Sequence, residues 1–227
     1  MTPARLCVVV PVLNEAEGIT AALQALAPLA KRGAQIVVAD GGSTDDTVAL
    51  AQASGAQVIS AGRGRALQMN AGAQMATGEL LLFLHADTLL PPDADTLIQQ
   101  ALAVGPQVWG RFDVRIDGRA WLLRVIAAFM NLRSRWTGIA TGDQAMFMTR
   151  AAFDAVGGFA AQPLMEDIEM SGLLLKLSRP ACLRARVVTS GRRWESRGIW
   201  RTVLLMWRLR LAYWRGAAPE RLAERYR

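Results

Sequence analysis

The stretch Leu80-Leu81-Leu82-Phe83-Leu84-His85-Ala86-Asp87 decides the fold class. Five consecutive apolar residues suit a strand covered on both faces, as in a parallel sheet with helices above and below. A carboxylate does not belong inside such a strand, so Asp87 falls at its carboxyl end, where the crevice of an open α/β sheet lies. There it can ligate a divalent cation through hard oxygen, or simply cap a following helix.

Outward from this strand the same alternation recurs. Strands are expected over 6–10, 36–39 and 57–59, with helices over 17–29, 44–54 and 65–76 between them and before 80–84. Three strand ends then face one crevice, through the loops Pro11–Glu15, Asp40–Asp46 and His85–Thr88. The second half is less regular. Strands are expected over 108–116, 145–148 and 184–188, and helices over 121–132, 168–177 and 199–214. The fold class is therefore α/β: a mostly parallel sheet flanked by helices, an irregular second half and a C-terminal amphipathic helix. With 227 residues and 52% hydrophobic content, the chain reads as one domain with a substantial core. Residues 1–105 form its binding half, 106–198 an acceptor half and 199–227 a basic helical segment.

Cys7 and Cys182 lack metal-ligand spacing and read as thiols of a reducing compartment. The apolar run after Arg5 is broken at Pro11, too soon for a signal peptide, and no stretch is long enough to span a bilayer. A cytoplasmic protein, free or at the membrane periphery, is the expectation. The net charge of +7 is divided unevenly: residues 1–178 carry 13 basic and 16 acidic side chains, residues 179–227 carry 13 and 3. Trp200, Trp207 and Trp214 recur every seven residues beside Arg201, Arg208 and Arg215. Such a helix either lies in the interface of an anionic membrane or packs its tryptophans on the domain with the arginines in water. The segment Trp121–Trp136 has a similar character.

Several clusters carry chemistry. Asp40 ends a strand before Gly41-Gly42-Ser43-Thr44-Asp45-Asp46 and can bind nucleoside hydroxyls, whereas Asp45 and Asp46 suit the start of a helix. Pro11-Val12-Leu13-Asn14-Glu15 presents Asn14 and Glu15 either to a base or as helix caps. Gly62-Arg63-Gly64-Arg65-Ala66-Leu67-Gln68-Met69-Asn70 sets guanidinium groups at a helix start, a diphosphate site or a solvated basic turn. Glu166 and Asp167 open another helix, where a carboxylate can remove a proton from a hydroxyl or merely complement the helix dipole.

In this order the motifs resemble family 2 glycosyltransferases: Pro-Val-Leu-Asn-Glu (11–15), Asp-Gly-Gly-Ser-Thr-Asp-Asp-Thr (40–47), a strand ending in Asp87, Val156-Gly157-Gly158-Phe159 and Glu166-Asp167. The resemblance covers residues 6 to about 177. Gly191-Arg192-Arg193-Trp194 is similar to a Gln-x-x-Arg-Trp element of some members, without its Gln. Residues 64–73 and 83–88 resemble a bacterial subgroup associated with arsenosugar biosynthesis and radical-SAM enzymes. The resemblance implies a GT-A, Rossmann-like fold, an inverting reaction, a nucleotide-diphosphate sugar donor and Mg²⁺ or Mn²⁺, with no nucleic-acid partner. It also implies roles. Pro11, Asn14, Glu15, Asp40, Arg65, Asn70, Ala86, Arg192, Arg193 and Trp194 would hold the donor. Asp87 would ligate the metal, Asp167 would be the general base with Glu166 beside it, and Asp143, Gln144 and Gly158 would shape the acceptor and sugar pocket. His85, the chain's only histidine, stands where the family's first metal-site acid is expected, and reads as a metal ligand, a hydrogen-bond donor to a phosphate or a partner of Asp87. The other classes consistent with these residues are a nucleotidyltransferase and a non-catalytic binder of anionic lipid or nucleic acid.

Overall fold

The computed structural model describes residues 5–226; the side chain of Arg193 is outside the described residues, as are residues 1–4 and 227. The first half alternates as expected: β1 (Leu6–Val12), α1 (Ala16–Lys31), β2 (Gln35–Asp40), α2 (Thr47–Ala53), β3 (Gln57–Ser60), α3 (Arg65–Met75) and β4 (Leu80–Phe83). The rest comprises β5 (Thr88–Leu89), α4 (Ala94–Ala103), β6 (Trp109–Asp117), α5 (Leu122–Thr137), a 3₁₀ turn (Gly142–Gln144), β7 (Phe147–Thr149), α6 (Arg150–Ala155), α7 (Glu166–Leu174), β8 (Ala181–Ser190), α8 (Arg192–Arg197), α9 (Ile199–Trp214) and α10 (Pro219–Tyr226).

All eight strands join one sheet in the order β3-β2-β1-β4-β7-β6-β8-β5. Strands β1 to β4 run parallel, and β7 enters antiparallel beside β4. Side chains of β1 alternate between two cores. Val8 and Val10 meet Ile19, Leu23 and Leu26 of α1, while Cys7 and Val9 meet Ala66, Met69 and Ala73 of α3. Both faces of β4 are equally buried, which is why its sequence runs apolar without a break. Gly72 allows α3 to sit close on the sheet, since a Cβ there would lie 2.3 Å from a Val9 methyl. Pro11 lies past the last paired residues of β1 and β4, Val9 and Phe83, near the strand end where a missing N–H is tolerated.

Helix α2 starts later than the expected Thr44. Ser43, Thr44 and Asp45 instead stitch the β2 loop to the β1 loop: Asn14 N–H donates to Ser43 Oγ at 2.9 Å, Thr44 N–H to Asn14 Oδ1 at 2.9 Å and Ala16 N–H to Asp45 Oδ2 at 3.2 Å. Side-chain acceptors here compete with helical hydrogen bonds.

The tryptophans of α9 do not pack on the domain. Its inner face is offset from them, with Leu205, Met206, Leu209 and Tyr213 against Met165, Ile168 and Leu222 of α10. Trp200, Trp207 and Trp214 are 66%, 73% and 84% exposed, in one stripe with Leu204 and Leu211. Trp121, Phe129 and Trp136 on and beside α5 are exposed as well. No helix among the described residues is long and apolar enough to cross a membrane.

Candidate active site

The sheet order reverses between β1 and β4, and a crevice opens there beyond the strand ends. A cavity of about 580 Å³ occupies it, lined by the β1 loop (Pro11, Glu15), the start of α3 (Gly64, Arg65, Gln68) and the β4 loop (His85, Ala86, Asp87). A second cavity of about 330 Å³ adjoins it. That one is walled by Asp143, Glu166 and Asp167 on one side and by residues of α8, α9 and α10 on the other. Arg65, His85 and Asp87 line both.

Asp87 is held there by its backbone. Ser190 N–H donates to the Asp87 carbonyl at 3.2 Å, and β5, which follows at once, pairs antiparallel with β8. The Thr88 hydroxyl bonds Thr189 Oγ1 at 3.1 Å. Gln68 braces the other rim, donating its amide to the Val12 carbonyl at 2.6 Å and the Ala39 carbonyl at 3.0 Å.

Glu166 and Asp167 open α7 behind Met165, whose φ of 68° is left-handed. The other non-glycine residues with positive φ among those described are Asn14 and Ala145. All three flank segments that reach the cavities, and strain of this kind persists where surrounding structure fixes it. Asp167 accepts from Gly142 N–H at 2.9 Å and Ile168 N–H at 2.8 Å. Burial raises the pKa of both carboxyls despite those amides, and the Asp167 charge adds to the rise at Glu166. Burial, and next the Asp87 charge, likewise raises Glu15. Arg65 touches solvent at the cleft wall but is crowded by protein atoms. Crowding works against its charge, and Glu166 and Asp143 more than restore it, so its pKa rises.

His85 Nδ1 lies 3.5 Å from Asp143 Oδ1, and its Cε1–Nε2 edge rests on Gly142, where a Cβ would come within 2.5 Å. The ring thus sits between Asp143 and Gly142 while lining both cavities. No group of three or more His, Cys, Asp or Glu side chains able to hold a metal is assembled among the described residues. The donor set that remains, Asp87 with open space beside it, fits a cation held by one carboxylate, water and substrate phosphates, as Mg²⁺ commonly is.

The other expected site residues have structural partners. Both Asp40 oxygens accept from its own loop, Oδ2 from Gly42 N–H at 2.9 Å and Oδ1 from Ser43 N–H at 3.2 Å. Asn70 clamps Phe159, donating to its carbonyl at 2.8 Å and accepting from its N–H at 2.9 Å, and Gly158 leaves room for that clamp. Gln144 is fully buried and bonds Ser134 Oγ at 3.2 Å. Arg192 is exposed and pairs with Glu17 at 3.5 Å, while Trp194 lines the smaller cavity. Sequence reasoning missed Arg133 on α5. Its Nε and Nη2 are buried without a hydrogen-bond partner, burial lowers its pKa, and Asp167 is the chief charge opposing that effect. Nothing in its local sequence marks it, because the charges around it come from distant segments: Asp167 of α7, Arg111 of β6 and Asp143 of the 3₁₀ turn.

The profile described as "Glycosyl transferase family 2" matches residues 7–162, well over half of the chain. The chain belongs to glycosyl transferase family 2. Among curated relatives in this family, a PGL/p-HBAD biosynthesis glycosyltransferase of Mycobacterium tuberculosis is 36% identical over 105 residues, covering 43% of this chain and 41% of that protein. The same protein name from Mycobacterium bovis matches equally. The match thus spans about two fifths of the relatives' length. Staphylococcus aureus TarS in complex with UDP-GlcNAc superposes with a TM-score of 0.67 at 19% identity, covering 82% of this chain and 58% of that one. Glucosyl-3-phosphoglycerate synthase from M. tuberculosis, in complex with Mn²⁺, UDP and glucosyl-3-phosphoglycerate, gives 0.62 at 20% identity over 82% and 71%. At this identity the likeness concerns the fold, and it matches the GT-A architecture. The family is one of glycosyl transferases.

Proposed function

We propose that the larger cavity binds a nucleotide-diphosphate sugar and the smaller one its acceptor, with transfer inverting the anomeric centre. The observation that carries this is the common wall: Arg65, His85 and Asp87 face both cavities, while Glu166 and Asp167 face them across the smaller one. A diphosphate beside Asp87 and Arg65 then places the sugar between the two compartments. Asp167 takes the proton of the acceptor hydroxyl, and that oxygen bonds to the anomeric carbon. The bond from that carbon to the diphosphate oxygen breaks, and the nucleotide leaves with the electron pair, its charge met by Arg65. Mg²⁺ or Mn²⁺ held by Asp87 would supply further positive charge to the diphosphate. His85, wedged between Asp143 and Gly142, positions the loop that carries Asp87. The exposed tryptophan stripe of α9, beside Arg208 and Arg215, rests on an anionic lipid surface.

Asp167→Asn tests the assignment. It should lower transfer about a hundredfold or more, the usual contribution of a general base, and leave nucleotide affinity within about twofold. Unchanged turnover would remove Asp167 from the mechanism.

A further inference from the structure

The side of the smaller cavity opposite the carboxylates is built from arginines. Arg197 comes from α8, Arg201 and Arg210 from the two flanks of the inner face of α9, and Arg225 from α10. All four lie beyond the residues matched by the family profile. Among the described residues, no carboxylate lies within ion-pair distance of Arg201, Arg210 or Arg225. Arg210 Nε is buried with no hydrogen-bond partner, although its side chain reaches the cavity. Guanidinium groups gathered on one wall repel each other, and a buried N–H without an acceptor is unfavourable. Both conditions are relieved by an anion seated between them, and the planar fork of arginine matches a phosphate best.

We infer that the acceptor carries a phosphate monoester, which this arginine wall holds so that a neighbouring hydroxyl is presented to Asp167. The inference rests on the assignment of the smaller cavity to the acceptor. The cavity is polarised to suit: cations at the α8–α10 side, carboxylates at the sheet side. A phosphorylated polyol, free or as the headgroup of a lipid, has the required form, an anion and a hydroxyl on one small frame.

The full chain is first saturated with Mn²⁺ and whichever nucleoside diphosphate gives the largest thermal shift. Inorganic phosphate is then titrated in by calorimetry. The wild type should bind it, and Arg201→Gln with Arg210→Gln should weaken it about tenfold or more while leaving nucleotide affinity unchanged. If that double variant fails to fold, Arg225→Gln on the exposed side of α10 should still weaken phosphate about threefold. Absence of phosphate binding, or binding untouched by these substitutions, overturns the inference and leaves the donor site standing. A wild type that binds no nucleoside diphosphate overturns the donor reading instead, and phosphate titrated alone still decides this one. Displacement of phosphate by glycerol 1-phosphate identifies a soluble ester, and displacement only by vesicles containing phosphatidylinositol 4-phosphate identifies a headgroup. Displacement by neither overturns it.

Discussion

Glu166 and Asp167 adjoin at the head of α7, and burial disfavours the charged form of each. Two measurable effects follow. The acid limb of the rate profile should lie above the ordinary carboxyl range, and it belongs to the pair, since the two protonations interact. Activity falls as pH drops through that limb. Stability runs the other way. A carboxyl whose folded pKa exceeds its unfolded value contributes stability fully below the unfolded value, and loses it as pH rises through the folded one. Glu166→Gln, which cannot ionise, should therefore match the wild type in Tm below the ordinary value of 4.5 and exceed it increasingly toward neutrality. A Tm difference independent of pH would show that packing, not ionisation, distinguishes the two. Cys7 offers a simpler check: burial pushes its thiol up to about 12, so alkylation of the native protein should spare it. Mass spectrometry reads the result.

Helix α3 and strand β1 meet with no space to spare at Gly72. Gly72→Ala should destabilise the protein by about 1–3 kcal/mol in urea unfolding, despite the better helix propensity of alanine, because Val9 cannot retreat within a fully buried strand. The parallel half of the sheet was legible because each strand is covered on both faces, and α9 because its period of apolar residues is helical. The short β5 was not, since two residues carry no period and their pairing with β8 spans about a hundred residues of sequence. Helix α10 lies inside the helical segment expected over 199–227, but its separation from α9 was not legible, because only Leu222 is buried and its sequence is polar almost throughout. Asp87, His85, Glu166 and Asp167, expected at a strand end and a helix start, all reach the wall of a cavity. Asp40 and Asn70 carry the same chemistry at equally prominent positions, yet their polar atoms meet backbone groups. Sequence gives residue type and position, not which lone pairs remain available. The arginine wall is visible as composition, but only the fold turns it toward the acids.

At the scale of the whole molecule, the basic tail presents two surfaces. The inner face of α9 roofs the smaller cavity, and the outer stripe of Trp200, Trp207 and Trp214 faces away from it. The chain should sediment with vesicles containing phosphatidylglycerol more than with pure phosphatidylcholine, and added salt should weaken that preference. Replacing the three tryptophans by serine should abolish sedimentation while leaving the cavities intact; retained binding would place the lipid contact elsewhere. The shared wall of the two cavities has a further consequence. Arg65, His85 and Asp87 cannot respond to an occupant on one side without altering what the other side meets. With donor and acceptor in the compartments proposed for them, their affinities are linked, and the linkage is reciprocal: whatever factor a bound nucleotide imposes on the acceptor, the acceptor imposes on the nucleotide.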